Sequence, residues 1–530
     1  MRLKKKKIDK YSIDNTDYTI GQDNVQKFGF DFHNVVFTTS SLIVFALLVL
    51  FLFIEPGITN YYLSSFKDGI INYFDQFFMF SANYFVLFCL VLSLSPYGRI
   101  RLGGIDAVPE YSTPSWLSML FAAGMGIGLM FWGVSEPLAH FVGLNDLLPL
   151  GGVENQAAAI ELALGATMFH WGIHAWAIYS VVALSLAFFA FNKGLPLSVR
   201  SIFFPILGDK TWGGWGHLID VLAVIATLFG LATSLGLGAQ QAANGISYVF
   251  SIPSGIWTQM LLILVITIVT CFSVGRGIDG GMKVVSNINM LLALFLLVFL
   301  FVVSDTSVFS YIYATIVGYG ENFFALSNSM NRDDEAWMQG WSIFYMSWWI
   351  AWSPFVGMFI ARISKGRTVR EFIWVVIFVP TLISTIWMST FGGIAIDHVV
   401  REVGLLGETG LTDVTLSLFY LLESFPFTLV LSVIAIVLVL IFFITSSDSG
   451  SLVVDGITAG GKTDSPMSQR IFWVVIEGAI AATLLWVGGE QAINALQAGV
   501  ISTSLPFTII LILMTVCLLM GMKTEKYISR

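Results

Sequence analysis

Charge is what this chain is short of. Only 11% of its 530 residues are Asp, Glu, Lys or Arg, less than half of the roughly 25% usual in soluble domains. That excludes an ordinary solvated surface over the chain's length. Cysteine is nearly missing: Cys89, Cys271 and Cys517 all fall within apolar runs. An odd, scattered set of this kind supports neither a disulfide framework nor a metal-ligand spacing, and the three read as packing residues. A cleavable leader is not expected, because the basic start is followed by polar sequence to about residue 34, and the first apolar run, through Pro56, is long enough to span. Catalytic spacings are missing too. Glu136, Glu161, Asp220 and Glu477 stand in apolar segments with no paired His or Cys spacing, which argues against an enzyme. The sequence likewise gives no sign of the polar or carbonyl rings that line a channel.

What the sequence has is hydrophobic residues, 56% of the total, with a mean hydropathy of +0.82. That composition defines an all-α polytopic membrane protein. Spans need about 20 mostly apolar residues, and twelve candidates centre near Leu47, Leu87, Met125, Tyr179, Phe229, Ile266, Phe295, Ile350, Ile383, Val437, Ile480 and Leu511. An even count puts both ends on one side. With the N terminus taken as cytoplasmic, 23 of the 26 basic residues fall on that side, leaving Lys67, Arg332 and Arg401 outside. The positive-inside rule therefore predicts a multi-pass cell-membrane protein with both termini cytoplasmic. The net charge of −8 does not imply nucleic acid, since acidic residues such as Asp333, Asp334 and Glu335 gather in outer loops. The Lys run at residues 4–7 suits topology or contact with anionic lipid.

The expected organisation is a polar segment (1–33), two peripheral spans (34–112), five spans (113–304), an outer surface segment (305–335), five more spans (336–521) and a short tail (522–530). Each set of five opens with a helix interrupted by Gly or Pro. An odd-numbered unit repeated in tandem must reverse its orientation, which is the condition for a five-plus-five inverted repeat with a site near the midplane. The first interrupted helix carries AAGMGIGLMFWGVSEP, residues 122–137. Glycine in a helix interior costs about 1 kcal/mol relative to alanine, so Gly124, Gly126 and Gly128 read either as a helix break beside a cavity or as close packing of two helices.

Aromatic residues concentrate at mid-span, where interfacial girdles do not belong. FHWGIHAWAIY holds Trp171, Trp176 and Tyr179, flanked by His170 and His174, which read as hydrogen-bonded packing residues or as a proton relay. GWSIFYMSWWIAWSPF holds Trp341, Trp348, Trp349 and Trp352, with Trp348 and Trp352 an i, i+4 pair. No acidic residue stands in the same turns. Such rings either pack or form a cage for a quaternary ammonium, which offers no N–H donors and is held by ring faces at about 0.5–2 kcal/mol each. Backbone N–H groups at a half-helix end would meanwhile receive a carboxylate. Cage plus carboxylate receptor describes a betaine.

GMGIGLMFWGVSEP, HWGIHAWAIY and WWIAWSPFVGMFIARISKGR resemble the hallmark segments of the betaine/carnitine/choline transporter family, and the similarity runs from about residue 34 to 521. The resemblance implies twelve helices around an inverted five-plus-five core, often assembled as a homotrimer, and secondary active uptake by alternating access. By position it implies an aromatic box of Trp171, Trp176 and Tyr179 with Trp348, Trp349 and Trp352. Gly124, Gly126 and Gly128 would lie on the carboxylate side. Ser342 and Met346 depart from the family's usual Thr and Trp, outside the implied box. Sodium-coupled relatives imply a Na⁺ site at Ala122, Met125, Phe442, Thr445 and Ser446, and a second, weaker one at Thr227 and Phe355, where Leu231 has no oxygen to offer. No Lys or Arg stands near these positions to replace sodium. Glycine betaine is thus expected as substrate, with choline, carnitine or ectoine as alternatives, and Na⁺ as coupling ion, with H⁺ coupling or exchange as the alternative and no other cofactor. The tail beyond about residue 522 is too short for the long basic sensor tail of some relatives.

Overall fold

The computed structural model describes residues 10–124, 126–276, 282–462 and 464–525, without the side chains of residues 121–124, 276 and 282–284. It opens with a two-stranded antiparallel hairpin, β1 (Asn24–Lys27) and β2 (Phe30–His33), in register Lys27↔Phe30. Its two-residue turn places Phe28 at φ 53° and Gly29 at φ 78°, the left-handed pair that matches strand twist. The hairpin docks on the far end of the chain. Lys462 Nζ reaches Asp31 Oδ2 at 2.6 Å, Asn24 Nδ2 donates to the Ala459 carbonyl at 3.0 Å, and the Asp31 amide donates to Gln469 Oε1 at 3.1 Å.

Fifteen longer helices succeed it: α1 (Asn34–Phe53), α2 (Pro56–Leu94), α3 (Thr113–Gly124), α4 (Ile127–Val142), α5 (Gln156–Trp171), α6 (Ile173–Lys193), α7 (Gly214–Phe250), α8 (Ile256–Arg276), α9 (Met282–Val303), α10 (Val308–Ser327), α11 (Phe344–Ile363), α12 (Val369–Val400), α13 (Thr428–Thr458), α14 (Met467–Gly488) and α15 (Ala492–Met522). Local sequence explains several starts. Glu55 accepts from the Ile58 amide with Pro56 at the first helical position, and Thr368 caps α12 through the Glu371 amide in a capping-box sequence. Among the described residues, ten helical stretches are long and apolar enough to cross a membrane. One of these, Met467–Met522, contains both α14 and α15, joined through Gly489–Gln491.

Two interruptions shape the interior. The glycine-rich segment does break: α3 ends at Gly124 and α4 starts at Ile127 after an extended Gly126, φ −164° and ψ −174°. A second break, unforeseen in the sequence, separates α5 from α6 at Gly172. A wheel projection of Trp171 against Trp176 and Tyr179 as one continuous helix therefore does not hold. Gly172 has no room for a side chain, because a Cβ there would lie 2.5 Å from the Met168 carbonyl oxygen and 2.9 Å from Tyr319 Oη. That tyrosine belongs to α10, the expected surface helix, and its hydroxyl accepts from the freed Ile173 amide at 3.1 Å. α10 and α5 approach through Gly318 and Gly165, with a Cβ on Gly318 falling 1.8 Å from the Glu161 carbonyl oxygen. Small residues let helix backbones touch in this way.

α5, α6, α7 and α11 are enclosed, whereas α1, α2, α8 and α9 turn large apolar side chains such as Leu42, Phe53, Phe80, Phe272 and Leu291 outward. That distribution suits lipid as the outer solvent. Cys89 and Cys517 are buried and Cys271 half-buried, all as free thiols.

Candidate functional site

α5, α6 and α11 bring the six expected box residues into one chain of ring contacts. Trp171 meets Trp349 edge-on at 5.0 Å and Trp348 at 6.4 Å between centroids. Tyr179 meets Trp349 at 6.0 Å and Trp176 at 5.4 Å. Trp348 stacks on Trp349 at 5.2 Å and stands perpendicular to Trp352 at 6.4 Å. Edge-to-face pairs are favourable aromatic geometry, and hydrogen bonds fix three of the indoles. Trp171 Nε1 donates to Glu136 Oε2 at 2.7 Å, Trp349 Nε1 to the His170 carbonyl at 2.8 Å, and Trp352 Nε1 to the Gly230 carbonyl at 2.8 Å. Trp348 Nε1 and Tyr179 Oη are buried with no hydrogen-bond partner among the described residues. An orphaned polar group costs about 1–3 kcal/mol unless something satisfies it.

The glycines divide. A Cβ on Gly126 would meet nothing within 4 Å, so the backbone at the start of α4 is open to approach. Gly128 lies near the start of α4, where a Cβ would fall 2.6 Å from Trp171 Cη2 and 3.3 Å from Trp348 Cη2. Its lack of a side chain makes room for the box itself, which differs from an open berth for a ligand carboxylate. Met125 lies outside the described residues, as do Ala122 and Gly124 apart from their helical backbone.

A cavity of about 220 Å³ adjoins the box. Trp352, Phe355 and Phe359 from α11 and Phe442, Thr445 and Ser446 from α13 line it. Phe355, expected at a second cation site, thus shares this space with the residues of the first. Thr445 Oγ1 donates to the Phe442 carbonyl at 3.2 Å, putting two hard oxygens together. Thr227 stands apart, its hydroxyl donating back to the Ala223 carbonyl at 2.7 Å.

Sequence spacing misses the acidic group behind the box. It leaves Glu136 unpaired, yet in the fold Glu136 Oε1 is 2.6 Å from His170 Nδ1 and 3.4 Å from His140 Nε2. His140 stands one turn on in α4, so the Glu136/His140 i, i+4 spacing was a signal available in the sequence. His170 comes from α5 and only the fold supplies it. Tyr345, one turn before Trp349, donates its hydroxyl to Glu136 Oε2, and Ser342, one of the two family departures, pairs with His170 Nε2 at 3.0 Å. His174 bonds Asn83 Oδ1 at 2.9 Å through Nε2, as a packing histidine would. Among the described residues, Glu136, His140 and His170 form a group whose ligand atoms lie close enough to hold a metal ion, within 4.8 Å of one another.

Comparison with known proteins identifies the family. Residues 35–527 match the betaine/carnitine/choline family transporters. The chain is 60% identical to "Glycine betaine transporter 1" of Vibrio parahaemolyticus, covering 98% of this chain and 99% of that one. A second protein of that organism, a "Glycine betaine/proline/choline/ectoine transporter", is 58% identical over 97% of this chain and 92% of its own. A glycine betaine transporter of Bacillus subtilis is 41% identical over 86% of this chain and 88% of its own. These relatives are transporters and not enzymes, and the match to them spans nearly the whole chain. This multi-pass membrane protein belongs to the betaine/carnitine/choline transporter family.

Proposed function

We propose that the protein takes up a quaternary-ammonium osmolyte, glycine betaine above all, coupled to Na⁺ by alternating access. The observation that carries this reading is the single cluster of Trp171, Trp176, Tyr179, Trp348, Trp349 and Trp352. Ring faces attract a trimethylammonium group, and the unpartnered donors Trp348 Nε1 and Tyr179 Oη suit a carboxylate oxygen nearby. Relatives at 60% and 41% identity carry glycine betaine in their names. The 58% relative's name, with proline, choline and ectoine, supports a broader substrate range as the second reading.

For the coupling ion, the Thr445 and Ser446 hydroxyls line one cavity and Thr445 lies beside the Phe442 carbonyl; with the carbonyls expected of Ala122 and Met125 they would make an oxygen set at the interrupted helix, the usual setting of Na⁺ in such folds. A second ion at Thr227 and Phe355 has weaker support, since Thr227 is not among the residues lining the cavity that holds Phe355, and Leu231, one turn on, has no oxygen to offer. Twelve spans with a five-plus-five inverted repeat fit the packing. α4 packs on α12 as α6 packs on α11, and α7 packs on α13 as α8 packs on α14, so contacts fall into reciprocal or self-paired sets. Both termini would then be cytoplasmic. The exposed apolar residues of α2 and α10, Phe80, Leu87, Phe309 and Phe324 among them, suit lipid or the neighbours in a homotrimer.

The test is uptake of labelled glycine betaine into proteoliposomes under an inward Na⁺ gradient, with proline, choline, carnitine and ectoine as competitors. Accumulation above equilibrium that collapses without Na⁺ is expected. Equal accumulation on a proton gradient alone, or choline outcompeting betaine, would overturn the assignment.

A further inference from the structure

Glu136 is fully buried, two turns beyond Gly128 on α4, and every group around its carboxylate is placed to donate. Oε2 receives the Trp171 indole N–H at 2.7 Å and the Tyr345 hydroxyl. Oε1 faces His170 Nδ1 at 2.6 Å and His140 Nε2 at 3.4 Å. The imidazole protons follow from the network. Trp337 Nε1 donates to His140 Nδ1 at 3.2 Å, which leaves the His140 proton on Nε2, toward Glu136. In the tautomer where Ser342 donates to His170 Nε2, the His170 proton sits on Nδ1, also toward Glu136. Three hydrogen-bond partners thus reach the carboxylate, and His140 Nε2 faces Oε1 from 3.4 Å without a hydrogen bond and without another partner among the described residues. With both facing nitrogens protonated, the imidazoles present no lone pair to a metal ion.

We propose that Glu136, as the carboxylate, is the counter-charge of the aromatic box and a specificity-determining residue for cationic substrates. The inference rests on the box being the betaine site. Quaternary ammonium cannot hydrogen-bond, so it can be recognised only through ring faces and fields, and the box by itself carries no net charge. A carboxylate one hydrogen bond behind Trp171 supplies that charge. It acts through space on the bound cation, strongly in a site removed from water. It also acts through the indole, because an N–H donated to an anion leaves the ring more electron-rich and its face more attractive to a cation. The same bond fixes the ring's orientation against Trp349, 5.0 Å away. Glu136 therefore positions the box and biases it toward positive charge at once.

The two roles separate with a neutral isostere. In tert-butylacetate, carbon replaces the quaternary nitrogen of glycine betaine while the shape and the carboxylate remain. The measurement is the ratio of inhibition constants, tert-butylacetate over glycine betaine, against labelled betaine binding to purified transporter. Glu136→Gln keeps an acceptor for Trp171 and removes the charge, so the ratio should fall about tenfold while the isostere's own constant changes little. Glu136→Asp keeps the charge but withdraws it, and should fall between the two. A merely structural role would weaken both ligands together and leave the ratio unchanged, and that result in Glu136→Gln would overturn the proposal. Should Glu136→Gln not be recovered folded, an unchanged ratio in Glu136→Asp would do so. If wild type itself does not discriminate the two ligands, the failure lies with the box.

Discussion

Adding one methyl group at Gly128 is the sharpest test of the site geometry. The new Cβ would lie 2.6 Å from Trp171 Cη2 and 3.3 Å from Trp348 Cη2, where ordinary contact begins at 3.4 Å. Trp171 must therefore shift by roughly 1 Å, or α4 must recede. Neither is easy. The indole is tethered to Glu136 at 2.7 Å and lies against Trp349, and α4 is packed against α5, α7 and α12. Overpacking of this kind costs about 1–3 kcal/mol. If the strain falls on the box, glycine betaine affinity in Gly128→Ala should drop about 5- to 150-fold. The assay is equilibrium binding of labelled betaine to purified protein, with thermal unfolding measured alongside to show how much of the strain is taken up as lost stability. Gly126→Ala is the internal comparison, since its Cβ meets nothing within 4 Å and should leave the unfolding temperature near wild type. Unchanged affinity and unchanged unfolding in Gly128→Ala would refute the packing of the box on α4.

Trp352→Leu removes a ring face while keeping apolar bulk, and should weaken betaine binding by about 0.5–2 kcal/mol, read from the same binding assay; wild-type affinity would take Trp352 out of the box. The double change Thr445→Ala, Ser446→Ala should abolish Na⁺-driven accumulation while leaving a folded protein, because hydroxyl bonds in membrane helices average about 0.6 kcal/mol; Na⁺ dependence surviving in proteoliposomes would sink the cation-site assignment. Tyr319→Phe strips the Ile173 amide of its acceptor at the α5–α6 break and should cost about 1–3 kcal/mol, seen as a lower unfolding temperature; no change would mean the break is held by other contacts. Acid sensitivity should centre on His33, the last residue of β2 and the N-cap of α1. Burial, then the Arg200 guanidinium with Nη1 3.2 Å away and His217 beside it, push this imidazole from its ordinary 6.5 down to about 3. Its contribution to stability is complete above pH 6.5 and is lost as pH falls from there toward 3. A pH series of unfolding temperatures should show that decline, flattened in His33→Gln; identical slopes in the two proteins would rule it out.

The sequence by itself determined the class of protein and the residue types of the site. Too few charges to solvate a surface and apolar runs of spanning length leave only helices in lipid, because no other open structure satisfies its backbone there. Gly124 and Gly126 marked the first helix break because glycine interiors are costly to keep helical, and mid-span Trp and Tyr marked the ring cluster because rings at that depth have no interface to anchor to. Tertiary structure decided everything that depends on helices meeting. The break at Gly172 was invisible in HWGIH, since a lone glycine in an apolar helix is common and what rules out a side chain here includes Tyr319 from a helix more than 140 residues away. Glu136 looked unpaired because its partners His170 and Tyr345 arrive from α5 and α11. That a side chain at Gly128 would meet two indoles from other helices was likewise decided by tertiary packing. Periodicity and composition report the solvent around each segment. They carry no information about which buried faces are pressed together, and a transport site built between helices is made of those faces.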